Sequence, residues 1–277
     1  MMRADYLEIV GRALSEDLGS RGDITSDACV PQTAESRGMF VARGPGVIAG
    51  LEVAGYVFEA LDPSVEYEPL VAEGSRVGAG EHIARISGHS RSILSGERTA
   101  LNLLSRMSGV ATITAELVEA VAGTGARISD TRKTMPGLRA LDKYAVRTGG
   151  GMNHRFGLYD AVLIKDNHLV AAGDIGGAVA AARAAVSPGV MIEVEVENLE
   201  QLAQVMKTDA DRVLLDNMGP ELLREAVAMV GGRKTTEASG GVTMDNVRLL
   251  AETGVDIISV GWLTHSAPQL DIALDFA

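Results

Sequence analysis

Over the first 20 residues Leu7, Val10, Leu14 and Leu18 recur at helical spacing and Gly19 is placed to end the run, which predicts an N-terminal helix. From Arg37 to Ser87 the period changes. Short apolar runs (Met39 to Val41, Val47 to Ile48, Val65 to Tyr67, His82 to Ile86) alternate with Gly and Pro, and one helix is predicted over Leu51 to Leu61. This pattern predicts a small α/β domain with a mostly antiparallel sheet. A long apolar stretch, Ile93 to Val121, reads as helix, with a break expected near Ser108-Gly109. Beyond it strand-like cores recur at 127–131, 161–165, 190–196, 212–216, 235–239 and 256–260. Amphipathic helices are predicted between the later members, over 175–186, 199–206, 220–230 and 245–253.

Strands alternating with helices imply a parallel sheet with right-handed crossovers. A doubly wound open sheet and a closed barrel both satisfy that alternation, and one pair of residues favours the barrel. Glu193 and Glu195 are two apart, so they share one face of their strand, while Val194 and Val196 take the other. A polar face suits a lumen that opens into a site; under a covering helix, unpaired carboxylates would cost several kcal/mol each, in order of magnitude. About six units are found instead of the usual eight, so the expectation is an incomplete parallel barrel of the α/β class. Residues 1–110 form the smaller domain, with part of the linking helix. Residues 111–277 form the barrel, with the extreme C-terminus packing back on the N-terminal domain.

Of the 277 residues 46% are hydrophobic but only 4% aromatic, so a large core is available, built from the small side chains that buried parallel strands favour. Cys29 is the single cysteine, which excludes an intrachain disulfide and a Cys-rich zinc site. The N-terminal stretch lacks the uninterrupted apolar run of a signal peptide, and no segment reaches membrane-span length; a cytoplasmic protein without a membrane partner is expected. A net charge of -12 argues against nucleic acid. The window from Arg127 to His168 is the exception, with eight Lys or Arg against four Asp or Glu. Because charges more than roughly 8 Å apart are largely screened in cell-like salt, a basic pocket can bind anions on an acidic protein. A solvated basic helix face accounts for the same count.

In α/β barrels function collects where the strands end. The first strand ends in Arg132-Lys133, the second in Lys165-Asp166-Asn167-His168, the third carries Glu193 and Glu195, and the fourth ends at Asp216-Asn217. The fifth runs into Ser239-Gly240-Gly241 and the sixth into Gly261, with His265 just beyond. Any one of these is equally a polar cap or a surface ion pair worth about 0–1 kcal/mol; their joint position at successive strand ends singles them out. Arg132, Lys133, Arg155 and Lys165 suit carboxylates, because guanidinium forks match them bidentately. Glu195 and Asp216 are hard oxygen ligands suited to magnesium shared with substrate oxygens, the alternative being an ion pair to Lys165 or Lys133. Ser239, Gly240, Gly241 and Gly261 offer backbone N–H groups to a phosphate. Gly149-Gly150-Gly151, with no phosphate-loop lysine after it, is expected to let the backbone pass close to the first two strand ends. His82 and His89 are expected at the surface of the small domain, Cys29 in packing or at the surface, and His168 has no assigned role.

The stretch DTRKTMPGLRALDKYAVRTGGGMNHRFGLYDAVLIKDNH at 130–168 strongly resembles the quinolinate phosphoribosyltransferase family. So do EDLGSRGDITS at 16–26, SGERTALNLLSRMSG at 95–109, IEVEVENLEQL at 192–202, LLDNM at 214–218, EASGG at 237–241 and GWLTHSAPQLDIALDF at 261–276. Together these cover essentially the whole chain, and the central motif is the specific one. The resemblance implies that quinolinate and phosphoribosyl pyrophosphate give nicotinate mononucleotide, pyrophosphate and carbon dioxide, with magnesium. It also implies an N-terminal sandwich domain, a barrel of six or seven strands, and a homodimer (or a hexamer built from it) with shared sites. By motif position Arg132, Lys133, His154, Arg155 and Lys165 line the quinolinate pocket, with Arg98 entering from the partner subunit. Glu195 and Asp216 hold the ribose hydroxyls and the metal-pyrophosphate, and Ser239, Gly240, Gly261 and His265 hold phosphate. Lys133, Glu195 and Asp216 are the expected catalytic groups, with Lys133 protonating the ring carbanion. Met135, where Thr is common, is the one small departure. Two alternatives share the fold: a phosphoribosyltransferase-like protein associated with molybdenum transport, and a non-catalytic sensor that binds phosphoribosyl pyrophosphate.

Overall fold

The structure, a computed structural model, describes residues 3–276; Met1 and Met2 of the expected first helix lie outside the described residues. In chain order the elements are α1 (Arg3–Leu18), α2 (Ile24–Cys29), β1 (Glu35–Ala42), β2 (Gly46–Val47), α3 (Leu51–Leu61), β3 (Glu66–Pro69), β4 (Arg76–Val77), β5 (His82–His89) and α4 (Ser90–Ala120). Then come β6 (Arg127–Ser129), α5 (Arg139–Thr148), β7 (Val162–Ile164), α6 (Asp166–Ala172), α7 (Ile175–Ala185), β8 (Ile192–Val196), α8 (Leu199–Val205), β9 (Arg212–Asp216) and α9 (Pro220–Val230). The chain finishes with β10 (Thr235–Ser239), α10 (Val247–Ala251), β11 (Ile257–Ser259), α11 (Trp262–His265) and β12 (Ile272–Phe276).

Two compact units result, and no single cut in the chain separates them. Of the described residues, one gathers 3–115, 134–150 and 263–276; the other holds 116–133 and 151–262. The extreme C-terminus packs in the first unit through β12, as expected, and residues 134–150 join that unit as well. The amphipathic helix α5, not foreseen from the sequence, buries Leu141, Ala145 and Val146 in the core of the first unit. In that unit the antiparallel sheet runs β12-β1-β5-β3, and β12 pairs with β1 from Gly38↔Phe276 to Ala42↔Ile272. Phe40, Phe58 and Tyr67 pack as an aromatic cluster beneath it, with Phe40 and Tyr67 edge to face at 5.6 Å.

The expected break in the long helix is absent: α4 is continuous through Ser108 and Gly109. Gly109 serves a close approach. A Cβ there would lie 2.0 Å from the Pro268 carbonyl oxygen, on the segment that leads into β12. Ser108 is buried and uses its hydroxyl on the Ala49 backbone, accepting from its N–H at 3.1 Å and donating to its carbonyl at 3.2 Å. Gly149 likewise meets the Ala111 carbonyl, 2.4 Å from where a Cβ would be, and so packs on α4, while just past the glycines the Met152 backbone bonds Ile128 and Asp130 beside the first strand.

The second unit is a six-stranded, wholly parallel sheet in the order β6-β11-β10-β9-β8-β7. β6 and β7 are the two ends of this order, which makes it an incomplete barrel. Residues 152–161 bridge the two edges: Met152 pairs with Ser129 beside β6, and Arg155 Nη1 donates to the Ala161 carbonyl (3.1 Å) where β7 begins. Helix starts are capped as the sequence dictates, with Asp174 accepting from the Gly177 N–H, Asn198 from the Gln201 N–H, and Pro220 opening α9. Val194, Val196, Val213 and Leu215 are fully buried on the outward faces of β8 and β9.

Replacing Gly109 by Ala is expected to destabilise the protein by about 1–3 kcal/mol, as overpacking does, because a backbone carbonyl cannot yield as a flexible side chain can. Thermal unfolding checks this. An unchanged midpoint would contradict the contact.

Candidate active site

The parallel register fixes which side chains share the lumen. Asp216 pairs with Ser239, Ser239 with Ser259, and Ser259 with Ser129, so one row of polar residues rings the C-terminal end of four adjoining strands. On the far side Ile164 pairs with Val194, which brings the next residues, Lys165 and Glu195, level with each other. Their side chains form an ion pair in which the Glu195 carboxylate is largely buried and the Lys165 ammonium half-exposed. This is the alternative the sequence held open for Glu195, and it joins two of the expected site residues.

At the end of β9, Asn217 takes a left-handed conformation (φ 54°), its amide donating to Asp216 Oδ2 at 2.7 Å and its backbone N–H to the Ser239 carbonyl at 2.8 Å. Gly240, at φ 90°, closes over it; a Cβ would lie 2.2 Å from Asn217 Oδ1, so only glycine fits. The Lys133 side chain lies across Gly261, where a Cβ would come 2.8 Å from Lys133 Cδ. Lys133, Ser239, Gly240 and Gly261 thus belong to one end of the barrel, with Asp216, Glu195 and Lys165.

Arg155 stands beside Arg132. Burial first, and then the charge of Arg132, hold the Arg155 guanidinium below its ordinary pKa, against the opposing pull of Glu193 and Asp160. Asp160 accepts the backbone N–H groups of Phe156 (2.5 Å) and Gly157 (2.9 Å), which tightens the turn after Arg155.

Below this layer lies a buried ionic cluster. Glu193 and Glu237 are both fully buried on β8 and β10. Arg212, on β9 between them, places Nη1 3.0 Å from Glu237 Oε2 and Nε 4.0 Å from Glu193 Oε1. His154 completes the group: Nε2 is 2.9 Å from Glu193 Oε2 and 3.5 Å from Glu237 Oε1. Its other ring nitrogen, Nδ1, accepts the Arg155 backbone N–H at 2.8 Å. The His154 backbone N–H donates to Asp130 Oδ1 (2.8 Å), and Asn153 Nδ2 donates to Asp130 Oδ2 (2.6 Å). Burial depresses the His154 imidazole, but the hydrogen bond with Glu193 and the charges of Glu237 and Glu193 outweigh it and raise the pKa. Glu237 is pushed up to about 7 by burial and by the neighbouring charge of Glu193. The imidazole and the two carboxylates lie close enough to coordinate a cation. Arg212 already supplies positive charge there, so the group is a charge-matched network of the protein's own side chains.

The sequence placed His154 in the ligand pocket; the structure turns both of its nitrogens to protein partners. Arg98 lies exposed on α4 and His265 exposed at the end of α11, both in the other compact unit. His168 accepts the Lys165 backbone N–H at 2.9 Å and so caps α6. His82, His89 and Cys29 are exposed, with His89 Nδ1 2.9 Å from Asp62. Sequence reasoning missed Asp130, Arg212 and Glu237. Strand parity could have found Glu237, which is two residues before Ser239 and therefore faces the same lumen. Among the described residues no three carboxylate, His or Cys ligands converge at the strand ends, and no helix is long and apolar enough to cross a membrane.

The family model described as quinolinate phosphoribosyl transferase, C-terminal domain, matches residues 110–275, and that of the N-terminal domain matches 23–108. The nicotinate-nucleotide pyrophosphorylase [carboxylating] of Mycobacterium leprae is 46% identical over 273 residues, 97% of this chain and 96% of that protein. A probable enzyme of the same name from Bacillus subtilis is 44% identical over 261 residues, 94% of this chain and 89% of that one. Among solved structures, the nicotinate-nucleotide pyrophosphorylase of Ehrlichia chaffeensis superposes with a TM-score of 0.95 at 37% identity, covering 100% of both chains.

Because the folded pKa of Glu237 lies above its unfolded value, its stabilising contribution is fully present below about pH 4.5 and is lost as pH rises through about 7. Glu237→Gln is therefore expected to flatten the fall in melting temperature over this window. Calorimetry from pH 5 to pH 8 checks it, and parallel curves for the two proteins would contradict the buried, protonatable state.

Proposed function

The chain belongs to the quinolinate phosphoribosyltransferase family, and from that premise we infer how its barrel end carries out the reaction. Quinolinate and phosphoribosyl pyrophosphate are converted to nicotinate mononucleotide, pyrophosphate and carbon dioxide, a step of de novo NAD synthesis. The molybdenum-transport and sensor alternatives are not favoured, since both domain models and the relatives named above are quinolinate enzymes. The observation that carries the reading is that one parallel barrel bears the adjacent Arg132 and Arg155, the Lys165–Glu195 ion pair and Asp216 at a strand end.

Quinolinate is a dianion on a flat ring, and Arg132, Lys133, Arg155 and Lys165 hold its two carboxylates. At an effective dielectric near 20, each charge pair about 4 Å apart gains about 4 kcal/mol before desolvation. The cationic wall aims the ring nitrogen at the ribose C1, an orientation effect worth several kcal/mol, in order of magnitude. As the C1–O bond to pyrophosphate breaks, its electron pair leaves with pyrophosphate and positive charge develops on the sugar; Glu195 and Asp216 face that charge and orient the ribose hydroxyls. The nitrogen lone pair then bonds C1. The positive pyridinium nitrogen then stabilises the electron pair left on the adjacent ring carbon as its carboxylate departs as carbon dioxide, and Lys133 delivers the proton that this pair takes up.

Ser239, Gly240 and Gly261 are assigned to present backbone N–H groups to the phosphates, and His265 is assigned to phosphate by its motif position. With only two carboxylates, one already paired to Lys165 and the other bonded by Asn217, the chain suits magnesium shared with pyrophosphate oxygens and not a closed protein cage. Glu195 and Asp216 would hold that ion through substrate or water, where it would supply positive charge opposite the departing pyrophosphate. Arg98, exposed on α4, is assigned to the quinolinate pocket of a second copy, so the working unit is a homodimer. The cytoplasm is the compartment we assign.

A turnover assay with quinolinate, phosphoribosyl pyrophosphate and magnesium, following carbon dioxide and the mononucleotide, tests the reading; nicotinic acid, lacking the second carboxylate, is expected to be a poor substrate. Binding without turnover would favour the sensor. Arg132→Ala and Arg155→Ala are each expected to raise the quinolinate KM about tenfold or more, as loss of a charge-assisted bidentate contact does. Unaltered KM values would remove these residues from the pocket. Mixing Arg98→Ala with Lys165→Ala subunits is expected to restore part of the activity in heterodimers, and no recovery would exclude a shared site.

A further inference from the structure

We propose that His154 is a positioning residue: its imidazole, braced by the buried Glu193, Glu237 and Arg212, fixes the Arg155 backbone through Nδ1 and so aims the Arg155 guanidinium, without touching the pyridine substrate. The proposal rests on the reading that Arg155 holds a quinolinate carboxylate. It departs from the ligand-lining role that motif position implies for His154.

Four observations carry it. The His154 side chain is 6% exposed, and both ring nitrogens face protein atoms, Nε2 toward Glu193 and Glu237 and Nδ1 toward the Arg155 N–H. An Nδ1 that accepts belongs to the ring carrying its proton on Nε2, the position from which it donates toward Glu193. The ring is held from its backbone as well, because Asp130 takes the His154 N–H and the Asn153 amide. Finally, Arg155 needs an anchor. It sits beside a second guanidinium, Arg132, which repels it, and it lies in the segment that spans the two unpaired edges of the sheet. The path runs from strands β8, β9 and β10 through one rigid ring to the amide of the residue that meets the ligand. The ionic cluster is thereby the footing of a specificity-determining cation as well as a filler of the lumen.

The two nitrogens can be separated by substitution. Asn places its amide oxygen near the position of Nδ1, whereas Gln extends its amide toward Nε2. His154→Ala is expected to raise the quinolinate KM about five- to tenfold, as loss of a buried hydrogen bond does, while kcat and the KM for phosphoribosyl pyrophosphate stay within about twofold. His154→Asn is expected to recover most of that loss and His154→Gln little of it. In an Arg155→Ala background the His154 substitutions are expected to add less than about twofold, because the group they act through is gone. Additive effects, or better rescue by Gln than by Asn, would mean that His154 meets the substrate itself. Equal losses in both KM values with a lowered melting temperature would mean that it only supports the fold. Each of these outcomes overturns the proposal. Should His154→Ala not fold, the Asn and Gln variants alone complete the cycle. If the unaltered protein fails to turn over quinolinate, the underlying reading falls; if it turns over and the cycle is additive, only the role of His154 falls.

Discussion

Two carboxylates with no access to water, Glu193 and Glu237, set the terms for the barrel. A buried ion left without its partner costs about 3–5 kcal/mol, a large share of a domain's net stability. Arg212 and His154 meet that demand from opposite sides, one from the strand between the two acids and one from the segment that spans the unpaired edges of the sheet. The incomplete barrel is thus closed chemically where no backbone ladder joins β6 to β7. A hydrophobic plug would fill the same space, but it would not orient the residue that follows His154.

The period of two in a strand lets one element serve both stability and chemistry. Glu193 belongs to the buried cluster, and Glu195, two residues on, reaches the open end and pairs with Lys165. Glu237 and Ser239 repeat the arrangement on β10, as do Arg212 and Asp216 on β9 at a separation of four. Lumen layers are stacked along each strand, so a disturbance in the buried layer is felt one layer up.

Charge is organised against the average. A chain of net charge -12 gathers neighbouring guanidinium groups, Arg132 and Arg155, and burial, with the added repulsion from Arg132, depresses the pKa of Arg155. Fixed acids in the same segment, Asp130 and Asp160, bond backbone N–H groups and so hold the loop that carries the cations. In the proposed reaction these two cations would act as a preorganised receptor, because a dianionic ring would relieve their repulsion on binding.

Much of this was legible in the residues alone. The six parallel strands fall where the apolar cores predicted them, since local periodicity records which face of each strand is buried. The parity of Glu193 and Glu195 pointed to a polar lumen, which Arg212 and Glu237 share. What the sequence could not determine is which distant groups meet. Nothing local says that His154 turns both ring nitrogens to protein partners, or that α5 packs in the other unit's core. Those outcomes depend on burial and charge pairing between segments tens of residues apart, and only the assembled tertiary structure brings those segments together.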